Sequence, residues 1–148
     1  MSSVCAALAD FFIALDDREW GTVSALLADT VRRDYRSLFG TEPDEIEGPA
    51  LAAEWEQALS GLDAHQHYIG APSIEVDDDE ARVAVHVVAT HILEGDPGAP
   101  WVVGGTYRIE LRRLDGDWRI VALRLDTKWQ TGDRGILTRA RRVRSDQP

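Results

Sequence analysis

The chain has four histidines in 148 residues, and they fall in two short stretches. "AHQHYIG" sets His65 and His67 either side of a glutamine, and "HVVATH" runs from His86 to His91. Histidine changes charge near neutral pH, so each is a candidate proton donor or acceptor. A carboxylate bonded to the second ring nitrogen would fix the tautomer and stabilise the cation formed on proton uptake. Asp16 and Asp17 in "ALDDREW" are candidates for that carboxylate. They end a helical pattern, where the negative pole of a helix ordinarily favours basic side chains. Asp17 reads as a solvated helix terminator. Asp16, one residue after the apolar position Leu15, is left open as a functional group. Tyr35 in "RRDYRSLFG" offers a hydroxyl that can stabilise an enolate, directly or through a water, or that simply covers the edge of the core. For any single histidine the alternative is a hydrogen-bonded structural residue.

These groups depend on the elements that carry them. Val4, Leu8, Phe11, Phe12 and Leu15 recur at helical spacing, which predicts a helix over about 3 to 16 capped by Ser2 or Ser3. A second helix is expected over 18–28, with Trp20, Val23, Leu26 and Leu27 inward. "TVRRDYRSLFG" reads as a short strand, or strand and turn, closed by Gly40, and "TEPDEIEGP" as loop. "PALAAEWEQALSGL" is a third helix, with Pro49 near its first turn and Gly61 at its end.

From His65 onward the apolar period becomes two. "HYIGAPSIEV", "EARVAVHVVATHILEG", "WVVGGTYRIELRRL" and "DWRIVALRLDTKWQ" are strand candidates, separated by the turn chemistry of "DDDE", "GDPGAP" and "DGD". Alternation puts Val85, Val87, Ala89 and His91 on one face of the second of these and Ala84, His86, Val88 and Thr90 on the other. Both faces are largely apolar, so one of His86 and His91 is expected to be buried, with no choice between them. His67 and Ile69 share a face, while His65, following "GLDA", is assigned to the loop entering the strand. The paired glycines of "VVGGTY" suggest a bulge or bend. Helices first and long antiparallel strands afterwards predict an α+β fold, with helices packed on one face of a bent sheet around an internal pocket.

Composition narrows the chemistry. The chain is 44% hydrophobic and 28% charged, as in an ordinary globular domain. The single cysteine, Cys5, excludes an intrachain disulfide framework and a multi-cysteine zinc site, and no metal is expected. A net charge of −10 argues against a nucleic-acid partner. The first twenty residues lack a basic start, and Asp10 interrupts their apolar run, so neither signal peptide nor membrane span is expected, and cytoplasmic residence is the default. Residues 1–132 are expected to form one domain, and 133–148, with the run "RARRVR", a basic and partly disordered tail. No serine-nucleophile elbow, phosphate loop or H-E-x-x-H motif is present.

The segments "ALDDREW", "RRDYRSLFG", "QHYIGAPSIEV", "VVATH", "RRLDGDWRI" and "ALRLDTKW" resemble, in order and spacing, scytalone dehydratase and the wider SnoaL-like branch of the NTF2-like superfamily. The likeness runs from about Phe11 to Trp129. It implies a cone of curved antiparallel sheet and helices, no cofactor, a small-molecule substrate and a homo-oligomer, a trimer first and a dimer second. By position it implies that Asp16 orients His67, that His67 and His91 carry the proton transfers of a syn elimination of water, and that Tyr35 holds the water that polarises a substrate carbonyl. Leu15, Ile69, Tyr107 and Trp129 are the implied substrate contacts. Leu15 stands where scytalone dehydratase has a second tyrosine, and Gly105 and Tyr107 where it has a serine and an asparagine. The resemblance therefore implies a cofactor-independent lyase acting α to a carbonyl on a hydroxylated cyclic or polyketide-like molecule other than scytalone. Isomerase or cyclase chemistry on the same fold, or a non-catalytic module for hydrophobic ligands, are the alternatives.

Overall fold

A computed structural model describes residues 3–145. Helix α1 (Val4–Asp16) begins at Ser3, whose side chain accepts the Ala6 N–H at 3.0 Å, and buries a stripe from Val4 through Phe11 and Phe12 to Leu15. It ends at Asp16, and the turn after it holds Arg18 in the left-handed region at φ 59°. That conformation costs about 1–2 kcal/mol in a non-glycine residue. The Arg18 guanidinium offsets it by donating to the Ser60 and Leu62 carbonyls, at 3.3 and 2.8 Å. Asp16 is thereby set against the segment that leads into the first long-paired strand.

Helix α2 (Trp20–Leu26) is shorter than the sequence pattern implies, because Leu27 already belongs to strand β1 (Leu27–Asp34). After β1 comes the one-turn helix α3 (Arg36–Phe39), stopped by Gly40 at φ 73°. The stretch expected as loop contains strand β2 (Asp44–Glu47), paired antiparallel with β1. Its acidic residues masked it, since only Ile46 turns inward. Helix α4 (Gly48–Leu59) follows, with proline in its first turn.

The remaining strands are β3 (Ala64–Ile69), β4 (Ser73–Asp77), β5 (Glu80–Ile92), β6 (Trp101–Leu114) and β7 (Asp117–Thr131). The single strand expected over "HYIGAPSIEV" is thus two, both paired to β5. The sheet order is β2-β1-β7-β6-β5-β3, antiparallel throughout except for β1 beside β7. The curved, unclosed sheet carries its helices on the concave side, the α+β architecture expected. Val83, Val85, Val87, Val103, Ile109 and Leu123 are buried on that side. The ladder between β6 and β7 slips by one residue at Gly104–Gly105, as the paired glycines suggested.

The tail departs from expectation. Residues Ile136–Ser145 form helix α5, with Ile136 and Ala140 fully buried. Its apolar stripe of Ile136, Leu137 and Ala140 is short and set among arginines, so composition concealed it. α5 meets the loop after α4 so closely that a Cβ on Gly61 would lie 2.7 Å from the Ala140 carbonyl oxygen. Residues 146–148 of the expected tail lie outside the described residues.

Candidate active site

Between sheet and helices lies a cavity of about 400 Å³. Its lining is largely apolar, from Phe11, Leu15, Trp55, Trp101, Leu125 and Leu137 among others. Its charged lining groups are Arg33, bonded to Asp44 and Glu54, and Glu42. Four of the chemical candidates reach it: His67, His91, Tyr35 and Tyr107.

Asp16 ends α1 beside β3. Its Oδ1 accepts from His67 Nδ1 at 2.8 Å, and its Oδ2 accepts the His67 backbone N–H at 2.7 Å. Two bonds to one residue orient the carboxylate, and the carboxylate in turn fixes the proton of His67 on Nδ1. The nitrogen of His67 left for a ligand is Nε2, a lone-pair acceptor in the neutral ring. Asp17 is exposed, as a solvated terminator should be.

β3 begins at Ala64, so His65 is in the strand and not in the entering loop. It faces the same way as His67, is 7% exposed, and its Nε2–H donates to the Leu15 carbonyl at 2.9 Å. Burial pushes its pKa down. The ambiguity between His86 and His91 resolves through the fold. His91 is buried, with its Nδ1–H donating to the Trp101 carbonyl at 3.0 Å and its ring stacked on Trp101 at 4.4 Å. Burial, only partly opposed by that bond, lowers its pKa to about 4. At neutral pH it is therefore an acceptor through Nε2, not an acid. His86 sits on the exposed outer face beside Thr106, 3.0 Å from its hydroxyl. Trp101 escaped the sequence reading. Its place opposite His91 follows from the β5–β6 register, which the turn residues alone do not set.

Tyr35 and Tyr107 meet with their hydroxyls 2.8 Å apart. Burial pushes Tyr35 up to about 12 and Tyr107 well above its ordinary value, so both stay neutral. One hydroxyl donates to the other, which leaves one O–H of the pair for a ligand. Leu15 and Tyr107 line the cavity as expected.

Two expected contacts do not. Ile69 packs against the core beyond the lining. Trp129 is 48% exposed on the outer face. The slip at Gly104–Gly105 pairs Trp129 with Gly104 and Gln130 with Val103, reversing the faces that plain alternation from Leu125 would give. Among the described residues, no group of three or more histidine, cysteine, aspartate or glutamate side chains is arranged to hold a metal ion.

The profile of the SnoaL-like domain matches residues 1–124. The chain belongs to the SnoaL-like family. A relative of this SnoaL-like protein, the dehydratase GME11372 of Pestalotiopsis microspora, is 29% identical over 135 residues, covering 84% of each chain. The crystal structure of the Kfla4162 protein from Kribbella flavida superposes with a TM-score of 0.81 at 24% identity, covering 90% of this chain and 92% of that one. A putative scytalone dehydratase from Novosphingobium aromaticivorans gives 0.73 at 20% identity, covering 86% and 83%. The SnoaL-like fold is thus the NTF2-like cone that the sequence segments implied.

Proposed function

We propose that the protein is a cofactor-independent lyase of the dehydratase type. The observation that carries the reading is the Asp16 carboxylate bonded to His67 Nδ1 at 2.8 Å, in a ring that lines a largely apolar cavity. His67 Nε2 takes the proton α to a carbonyl. The C–H electron pair moves onto the carbonyl oxygen as an enolate, and Asp16 stabilises the imidazolium. The free hydroxyl of the Tyr35–Tyr107 pair donates to that oxygen, directly or through a water. Collapse of the enolate breaks the C–O bond to the β-hydroxyl, which leaves as water with the proton from His67. His91 accepts a hydrogen bond from that hydroxyl and so orients it.

Support comes from the dehydratase name of the relative and from the neutral state of His91, which leaves one base to both take and return the proton. A syn elimination needs no more. The substrate class is a small hydroxylated cyclic or polyketide-like ketone. We also propose that the chain forms a homo-trimer, for which the exposed aromatic rings of Tyr68 and Trp129 offer surface. Sedimentation velocity checks this, and a monomer at micromolar concentration refutes it.

The activity test is incubation with β-hydroxy cyclic ketones in deuterated water. Loss of water, with or without deuterium at the α-carbon, supports the lyase. Exchange without water loss points to an isomerase or cyclase, and neither water loss nor exchange with any such ketone overturns the reading.

A further inference from the structure

His65 has no part in the steps above, yet its side chain is wholly buried beside the dyad. Its Nε2–H donates to the carbonyl of Leu15, the residue immediately before Asp16. Its Nδ1 is buried and without a partner among the described residues. An unpaired buried acceptor is costly, so the ring carries a standing penalty.

We propose that His65 is a positioning residue for the Asp16–His67 dyad. The inference rests on the reading of that dyad as the base. Strand β3 meets the last turn of α1 through two successive inward side chains. His67 grips the Asp16 carboxylate, and His65 grips the backbone one residue earlier. The first contact orients the carboxylate but does not hold the backbone of the α1 end that carries it. The second pins the helix end to the strand that carries the base. The donor must also not compete for Asp16. A lysine or arginine at this place would pair with the carboxylate and divert it from His67. His65 Nε2 is 3.9 Å from Asp16 Oδ1. That is too long for a hydrogen bond. Burial favours the neutral ring of His65. A neutral N–H holds the backbone and leaves the carboxylate to its partner.

The test needs no substrate. In protein labelled with ¹⁵N-histidine, two-dimensional ring-nitrogen spectra should show His67 protonated on Nδ1 and His65 on Nε2. His65→Leu keeps the volume and removes the donor. It should turn His67 into a mixture of tautomers while methyl spectra stay native. His65→Gln, which can return an N–H to the Leu15 carbonyl, should restore the single Nδ1–H form. If His65→Leu fails to fold, His65→Asn replaces it, since its amide is too short to reach and should lose the fixed tautomer. His67 fixed on Nδ1 in the folded donor-less variant overturns the proposal. His67 not protonated on Nδ1 in the native protein overturns both this inference and the dyad. Turnover of an active ketone, once found, should fall about a hundredfold in His65→Leu. A fixed tautomer that His65→Leu disperses, in a protein that processes no ketone, would sink the lyase reading and keep the positioning role.

Discussion

Acidification should weaken this protein through His91 before it breaks the bonded carboxylates Asp44, Asp96, Asp126 and Asp133. The folded-state pKa of His91 is about 4 against an ordinary 6.5, with burial as the main cause. Each unit is worth about 1.36 kcal/mol, so the difference amounts to about 3.4 kcal/mol. Because the folded value lies below the unfolded one, the unfolded chain binds the proton first as pH falls. The stability is complete above about pH 6.5, declines between 6.5 and 4, and loses nothing more to His91 below 4. His65 is lowered too and acts in the same direction. Asp44, Asp96, Asp126 and Asp133 are held below their ordinary 3.8 by bonds to arginines and backbone, so their loss falls at lower pH. His91→Asn isolates the effect, since an amide N–H can replace Nδ1–H toward the Trp101 carbonyl and does not titrate. Lost stacking on Trp101 lowers the variant's stability equally at every pH. Urea unfolding followed by tryptophan fluorescence at pH 7, 6, 5 and 4 gives both curves. The gap between native and variant should close by about 3 kcal/mol from pH 7 to 4. A gap constant to within about 0.5 kcal/mol would refute the buried, neutral His91.

Three further outcomes follow from the geometry. Asp16→Asn should leave His67 with its proton misplaced and cut turnover about 10³- to 10⁴-fold, with little change in ligand affinity by calorimetry. Tyr35→Phe breaks the hydroxyl pair that donates to the carbonyl and should slow turnover about 10²-fold, whereas Trp129→Ala, outside the cavity, should leave kcat within about twofold. Gly61→Ala should cost at least about 1–3 kcal/mol in urea unfolding and loosen α5, because its new methyl meets the Ala140 backbone at 2.7 Å.

The sequence told most where periodicity and chemistry agreed. The stripe from Val4 to Leu15 specified α1, and the awkward acid at its end left Asp16 open to a second role. His67 was legible through its segment, and its bond to Asp16 is the contact expected. His65 was misread because strand starts are set by pairing partners, here Ile92 opposite Ala64, and not by the local pattern. The choice between His86 and His91 needed the third dimension, since both faces of β5 are apolar and only one lies under helices. Tyr107 was expected as a substrate contact. Its bond to Tyr35 joins residues 72 positions apart, which no local pattern encodes. α5 was lost in its own arginines.

The one-residue slip between β6 and β7 bears on how much room a substrate has. Gly104 leaves no side chain under Trp129, and a Cβ there would collide with the indole, so the ring rests flat on the outside of the sheet. In an unbroken ladder the same indole would point inward, and Gln130 would turn out and release Trp101 Nε1, which it now binds at 3.0 Å. The cavity would lose the volume of a bicyclic ring, and the stacking partner of His91 would lose its anchor. The capacity of the site is therefore set stepwise, by strand register, as well as gradually by the sizes of the side chains that line it.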